Sequence, residues 1–160
     1  RARPCEGKAM KEVAVTANFA LSEFTSSHTA ERLGIPNTPD DIAMGNLCNI
    51  LIPGMQRIRD LLGVPVVVKS GYRGRALNAA VKGSPSSQHL TGNACDFVAP
   101  GYGSPREVCE LLVHQSALIR FDQLICEGSW VHVSFAANRR NQVLTAHFSA
   151  GGVTYTQGLA

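Results

Sequence analysis

The stretch SSQHLTGNACDF, residues 86–97, places a histidine and an aspartate on either side of a glycine. Residues 94–100 (ACDFVAP) predict a short strand, and the side chains of a strand alternate between its two faces. Asp96 therefore lies opposite its two apolar neighbours, on a face that the core does not occupy. His89 precedes it in a loop of Gly and Thr that can fold back to the same point. This stretch predicts that a loop and a strand deliver His89 and Asp96 to one site.

A second histidine stands further along the chain, in the stretch WVHVSF of residues 130–135. Strand alternation places Trp130, His132 and Ser134 on one face and directs the valines and the phenylalanine into the core. Two imidazoles and one carboxylate with a fourth position left open are typical of a catalytic zinc site. A single histidine on a strand is more often a hydrogen-bonded structural residue, so spacing alone leaves the convergence of these three side chains open.

Apolar periodicity predicts a long helix over residues 38–63. Thr38 is expected to be its N-cap and Pro39 its first residue, because proline fits the first helical position. We expect Pro53-Gly54 to kink or split the helix and Gly63 to end it. Its apolar stripe consists of Ile42, Leu47, Leu51, Ile58 and Leu62.

The second half of the chain is rich in short strands separated by turns. Valine-rich or alternating stretches predict strands over 65–72, 94–100, 121–128, 130–137 and 142–149, with one helix over 104–116. Helices first and strands later, joined by short turns, favour an α+β fold with a largely antiparallel sheet and helices packed on it.

The length and composition predict one globular domain over residues 18–160, preceded by an N-terminal tail over residues 1–17. The chain has 160 residues, of which 44% are hydrophobic and 17% charged, values that are ordinary for soluble domains. No apolar run reaches the roughly 18 residues of a membrane helix, so we expect no membrane insertion. The net charge of +3 is mild, and no Lys/Arg cluster alternates with aromatic residues, which excludes nucleic acid as an expected partner.

Cysteine usage bears on the compartment. The five cysteines are odd in number and include no C-x-x-C pair, which argues against a zinc ribbon. Cys95, Cys109 and Cys126 stand among apolar residues, so we expect buried, reduced thiols and folding in a reducing cytoplasm. The N-terminal residues lack the apolar stretch of a signal peptide.

Three motifs carry a resemblance to a known family. SGYRGRALNAAVKGSPSSQHLTGNACDF (70–97) and EGSWVHVSF (127–135) contain, in order, S-G-Y-R, S-x-H-x-x-G-x-A-x-D and W-x-H. This pattern resembles that of the zinc D-Ala-D-Ala carboxypeptidase family, within the Hedgehog/D-Ala-D-Ala peptidase superfamily, and the region from residue 18 onward looks like its bacterial or phage branch. The resemblance covers residues 18–136 and implies the fold of that superfamily.

The resemblance also implies roles for single residues. Its metal ligands would be His89, Asp96 and His132, which would hold Zn²⁺. Arg73 would bind a substrate carboxylate, which a guanidinium can do with two parallel hydrogen bonds. Ser87 would contact the substrate backbone. Two further candidates are Tyr72, at the site or its oxyanion, and Trp130, as a wall, and for each of them packing at the core is the alternative.

The general base is the point at which the chain departs from many relatives. They carry an acidic residue three positions before the last histidine, where this chain has Ser129. Glu127, five positions before His132, is the nearby carboxylate, and D-Ala-D-Ala carboxypeptidase relatives place a functional histidine at that position. We therefore expect Glu127 to be the catalytic base; the alternative is a solvated glutamate in a turn.

The implied activity is that of a zinc metallopeptidase acting next to a D-amino acid in peptidoglycan stem peptides, of the D-Ala-D-Ala carboxypeptidase type. One alternative is an endolysin endopeptidase of the L-Ala-D-Glu type. Another is a non-catalytic, zinc-containing binding module, as in the Hedgehog relatives. We expect a protein that is made in the cytoplasm and acts on the cell wall, in the periplasm or outside, with a phage particle as one further setting.

Overall fold

The computed structural model describes residues 14–160, and it contains helices packed against one six-stranded sheet. The helices are α1 Leu21–Thr25, α2 His28–Leu33, α3 Asp41–Asn46, α4 Ile52–Leu62, α5 Arg75–Ala80, α6 Pro105–His114 and α7 Ser116–Ile119. The strands are β1 Val67–Ser70, β2 Ala94–Val98, β3 Gln123–Cys126, β4 Val131–Ser134, β5 Gln142–Ser149 and β6 Gly152–Gln157. Within this part of the chain, none of the helices has the length and apolar content that crossing a membrane requires.

The strands are ordered β1-β2-β4-β3-β5-β6 across the sheet. All neighbouring pairs are antiparallel except β3 and β5, which run parallel. The predicted α+β fold with a largely antiparallel sheet is therefore confirmed. The parallel pair requires the chain to cross over β3 after residue 134, and this crossover places β5 and β6 on the side of β3 that faces away from β4.

The main core lies between one face of the sheet and the helices. Phe97, Leu124 and Val133 of the central strands are fully buried in it, together with Leu51 and Ile58 of the helical layer. Burial of such side chains stabilises the fold by roughly 1.5–3 kcal/mol each. The predicted buried thiols also lie in this core, as the free cysteines Cys95, Cys109 and Cys126.

The predicted helix over residues 38–63 is interrupted, and its first turn differs from the prediction. Thr38 is not the N-cap: helix α3 begins at Asp41, and the Asp40 carboxylate accepts a hydrogen bond of 2.8 Å from the backbone N–H of Ala43. A carboxylate at this position also interacts favourably with the positive end of the helix. Gly63 ends the helix in the left-handed conformation, as expected.

A π-helical segment at Leu47–Leu51 separates α3 from α4. It ends two residues before Pro53, which has no N–H to donate to the preceding turn, so the expected split is confirmed at this place. The wider turn rotates the downstream face relative to the upstream one. Ile42 therefore does not share the apolar stripe and is 75% exposed, whereas Leu47 is fully buried.

The described domain extends upstream of residue 18. Ala14 forms a β-bridge with Ala20, and Val15 packs against the core. Residues 1–13 of the predicted tail lie outside the described residues, so the tail itself stays a prediction.

Candidate metal centre

The structure brings the two predicted histidines and the predicted aspartate together. Oδ1 of Asp96 lies 3.2 Å from Nε2 of His89 and 2.8 Å from Nδ1 of His132. One candidate ligand atom from each residue lies within 4.8 Å of the other two. All three residues are buried at the bottom of a cleft, with at most 8% of their surface exposed. Within residues 14–160, this group has the composition and spacing to hold a metal ion.

The sheet register and one tight turn position these side chains. Asp96 on β2 is the direct pairing partner of His132 on β4, so both project from the same face of the sheet. His89 comes from a short 3-10 turn, Gln88–Thr91, which ends at Gly92 with φ of +72°. A Cβ atom at Gly92 would lie 2.5 Å from the carbonyl oxygen of Ala43. Glycine is therefore required for the turn to pack against α3.

The S-G-Y-R segment orients the first histidine. Nδ1 of His89 lies 2.6 Å from the carbonyl oxygen of Gly71, so Nδ1 carries the proton and donates it to this oxygen. Gly71 itself is pressed against the backbone of Phe24, where a Cβ atom would lie 2.4 Å from the carbonyl oxygen. The Gly71 carbonyl thus fixes the tautomer of His89 and leaves the Nε2 lone pair facing the cleft.

The protonation of this group fits a divalent cation. Burial lowers the pKa of His89, which favours its neutral form. Burial alone would raise the pKa of Asp96, but the two histidines outweigh it and hold the pKa well below its usual range. In the tautomer that the Gly71 carbonyl selects, the Nε2 lone pair of His89 faces Oδ1 of Asp96 at 3.2 Å, and two acceptors oppose each other. A cation between them satisfies both, which is the chemistry of a metal-ligand set.

Arg73 lies directly beside the candidate ligands. Its Nη2 donates to Oδ2 of Asp96 at 2.5 Å, and its Nε donates to the hydroxyl of Ser70 at 2.8 Å. The side chain lines the cleft and is 16% exposed. Nη1 makes no hydrogen bond to any described residue, so this edge of the guanidinium is available to a ligand.

The predicted base, Glu127, also lines the cleft. The backbone N–H of Glu127 donates to the carbonyl of Trp130 across a turn that contains Gly128 with φ of +69°. This pairing places Glu127 on the face that carries Trp130 and His132. Burial raises the pKa of Glu127, and the charge of Asp96 raises it further. Ser129 lies in the same turn and is exposed to solvent.

The other predicted substrate contacts divide into two groups. Ser87 and Trp130 line the cleft, and the Ser87 hydroxyl also accepts from the backbone N–H of His89. The indole Nε1 of Trp130 is buried and has no hydrogen-bond acceptor among the described residues, and its N–H offsets part of the rise in the pKa of the nearby Glu127. Tyr72 is not among the cleft residues and packs against the main core. Burial and the charge of Asp40 raise the pKa of its hydroxyl.

A polar network that the sequence did not reveal supports the site. Asp122 is 1% exposed, and its carboxylate accepts from Nη2 of Arg140 at 2.6 Å, Nε2 of Gln88 at 3.0 Å and the hydroxyl of Ser134 at 3.3 Å. Gln88 adjoins His89, and Ser134 is two residues after His132. Asp122 therefore joins the turn that carries one histidine to the strand that carries the other.

We expect Asp122→Asn to lower the free energy of unfolding at pH 7 by on the order of 1–2 kcal/mol. Solvent around the half-exposed Arg140 screens the ion pair and limits the loss. Burial opposes ionisation, but hydrogen bonds from Arg140 and Gln88 prevail and lower the pKa of Asp122 to about 2. A carboxyl with a depressed pKa stabilises the fold above its unfolded-state pKa, and this contribution is lost as the pH falls toward 2. Urea titrations of both proteins between pH 7 and pH 2 test this: the difference should shrink in acid, and a constant difference would contradict it.

The candidate ligands lie in the middle of a cleft of about 1000 Å³. Along the strands, one end of the cleft is polar and is lined by Gln123, Gln142 and Arg140. The other end is lined by Glu127, Trp130 and Tyr155. Strand alternation and register place His132 between these two ends. The cleft can therefore hold a chain that extends on both sides of the ligand group.

Comparison with known proteins agrees with this geometry. The family model described as peptidase M15 matches residues 17–134, which contain all three candidate ligands, Arg73 and Glu127. No curated protein matches the chain at a significant level. A match over this much of the chain, together with a His-Asp-His group able to bind a metal, shows that the chain belongs to the peptidase M15 family of metallopeptidases.

Proposed function

We propose that the protein is a zinc metallopeptidase that hydrolyses a peptide bond next to a D-amino acid in peptidoglycan stem peptides. The observation that carries this proposal is the convergence of His89, Asp96 and His132 at the bottom of an open cleft in a peptidase M15 chain. Two nitrogen ligands and one carboxylate leave a coordination position for substrate, as catalytic zinc sites do.

The chain's own residues divide the remaining work. Zinc bound there would supply Lewis-acid chemistry, by drawing electron density from the scissile carbonyl and from water. Glu127 takes the proton of the attacking water on a carboxylate oxygen and gives it to the nitrogen of the leaving amine. Its raised pKa suits both steps, because a base whose pKa lies nearer neutrality also serves as an acid. Arg73 holds a substrate carboxylate with its free Nη1, and Ser87 contacts the substrate backbone.

Two scissile bonds are compatible with this proposal. The D-Ala-D-Ala carboxypeptidase type requires space for a terminal residue on one side of the ligand group. The cleft is lined on both sides, by Gln142 and Arg140 at one end and by Trp130 and Tyr155 at the other. This extension favours the second candidate, an endopeptidase of the L-Ala-D-Glu type, in which substrate continues in both directions.

A non-catalytic binding module is the alternative of another class. It would need the ligand group but not a base, and Ser129 occupies the position at which many relatives carry an acid. The placement of Glu127 in the cleft, within the electrostatic field of Asp96, supports hydrolysis instead. The site of action that follows is the cell wall, reached after synthesis in the cytoplasm and with a phage particle as one route.

Mass spectrometry of the products from purified stem peptides, with and without a zinc chelator, tests the proposed function. We expect chelator-sensitive cleavage. Release of free D-alanine would identify the carboxypeptidase type, and a cut inside the stem would identify the endopeptidase type. Zinc-containing protein that yields neither product would contradict the proposal and favour the binding module.

A further inference from the structure

The hairpin formed by β5 and β6 has its apolar side on the cleft. Its strands alternate: Leu144, Phe148, Val153 and Tyr155 line the cleft, and the buried Ala146 lies on the same side. We call this surface the hairpin face. The polar residues point the other way, where Nε2 of His147 lies 2.9 Å from the hydroxyl of Thr156. The apolar side of an amphipathic hairpin normally covers a core, but here it borders an open cleft.

The hairpin face combines a buried floor with exposed rings. Ile125, Leu144 and Ala146 form an apolar cluster of their own, separate from the main core. Phe148 and Tyr155 stand around this floor and are 55% and 52% exposed. Contiguous apolar surface of this kind, edged by polar residues, marks ligand-binding grooves.

The hairpin face is continuous with the candidate metal centre. The rings of Trp130 and Phe148 lie 6.0 Å apart at 57°, and Trp130 is two residues from His132 on the same face of the chain. Tyr155 pairs with Ala146 and lines the same cleft as Glu127 and Asp96. A ligand on the hairpin face would therefore lie close to the scissile bond of a substrate at the candidate metal centre.

The family match ends at residue 134, so it assigns no role to β5 or β6. These strands build one wall of the cleft, and their apolar face is the feature that the catalytic residues leave unused. A role in holding substrate is consistent with this position, because the wall borders the cleft without supplying a candidate ligand or base.

We propose that the hairpin face binds a sugar ring of the glycan strand to which the scissile stem peptide is attached. This inference rests on the proposed function. A pyranose ring has a flat apolar C–H face that stacks on the negative face of an aromatic ring, and it has hydroxyls around its edge. Phe148 and Tyr155 offer half-exposed rings for this face of the sugar.

The dimensions suit this occupant better than an amino-acid side chain. Two strand residues from His132 to Trp130 correspond to about 7 Å. An extended substrate covers the same length with about two residues, so a sugar linked through a short acyl segment to the scissile bond reaches the aromatic rings. The rings stand on a strand surface instead of closing a side-chain-sized pocket, which matches a flat ligand. The sugar subsite thus favours a bond near the glycan.

The direct test uses Trp130, which is the only tryptophan in the sequence. Its fluorescence is titrated in the full chain with the peptide-free disaccharide of N-acetylglucosamine and N-acetylmuramic acid. We expect a saturable change in emission. Absence of a saturable change, or a change produced by the free stem peptide but not by the disaccharide, would overturn the proposal. This readout requires neither zinc nor catalysis.

Matched variants locate the binding on the hairpin face. Tyr155→Ala and Phe148→Ala should each weaken disaccharide binding about three- to tenfold, whereas Tyr155→Phe should keep most of it, because the ring stacks without its hydroxyl. Tyr102→Ala is the control, since Tyr102 is 41% exposed and is not a cleft residue. Equal affinity in wild type and in both alanine variants would contradict the assignment. Both replaced side chains are half exposed, so the variants should fold.

An activity measurement separates this inference from the proposed function. Wild type should cleave a glycan-linked stem with a kcat/KM about tenfold above that for the free stem peptide, because remote binding energy supports the reaction. Tyr155→Ala should lose this preference, whereas the control Tyr102→Ala, outside the cleft, should keep it. Equal wild-type rates on both substrates would overturn the sugar subsite while the proposed function stands. Cleavage of neither substrate would contradict the proposed function, and the fluorescence titration would still decide whether sugar binds.

Discussion

Glu127→Gln is expected to lower kcat by about 10²–10⁴-fold on any substrate that the wild type cleaves. The amide keeps the size of the side chain and its place in the turn, but it can take no proton from water. Zinc content should not change, because Glu127 is not among the three candidate ligands. Single-turnover kinetics with zinc-loaded protein measures the effect.

The structural basis of this expectation is the position of Glu127 opposite Trp130 at the end of the β3–β4 pair. The turn at Gly128 directs the carboxylate to the face that carries His132. Burial and the charge of Asp96 raise the pKa of Glu127, which places the group nearer to the pH at which it exchanges protons. A solvated glutamate in a turn would have neither the burial nor the charged neighbour.

Ser129→Ala is the matched control for this experiment, since Ser129 lies in the same turn and is exposed. It should keep wild-type activity and zinc content. Near-full activity in zinc-loaded Glu127→Gln would show that the proton is taken elsewhere. Equal losses in both variants would point to a requirement for the turn instead of for the carboxylate.

Much of the site was predictable because its geometry follows from local rules. Strand alternation alone places Asp96 and His132 on faces opposite to core residues, and the register of β2 and β4 then pairs them directly. The motif S-x-H-x-x-G-x-A-x-D contains its own turn, because Gly92 supplies the left-handed residue that returns the chain to β2. In both cases a few neighbouring residues determine the placement.

The features that the sequence did not reveal depend on long-range arrangement. The parallel pairing of β3 with β5 follows from a crossover that alternation cannot indicate, so neither the hairpin face nor the Asp122–Arg140 pair was expected. The predicted N-terminus of the helix was wrong because Thr38 and Asp40 are both residue types that cap helices. Only the folded backbone shows that the Asp40 carboxylate reaches the N–H of Ala43. Tyr72 shares a motif with Arg73, yet the two side chains point to different sides of the segment.

Asp96→Asn is expected to weaken zinc binding by more than about 10²-fold, beyond the effect usual for residues that only support a ligand. An amide carries no charge, and its nitrogen cannot coordinate a cation. Atomic emission after dialysis and competition with a chromophoric chelator measure the zinc content and the dissociation constant. The exposed Asp41→Asn is the control, and it should keep wild-type zinc affinity.

This substitution separates loss of metal from loss of fold. The asparagine oxygen can still accept from Arg73, and its amide N–H can donate to the Nε2 lone pair of His89, which faces a carboxylate oxygen in the present structure. The metal-free variant should therefore keep the wild-type circular dichroism spectrum while peptidase activity falls with zinc content. Unchanged zinc affinity in Asp96→Asn would mean that the metal binds elsewhere, and it would contradict the assignment of the His89–Asp96–His132 group as the metal centre.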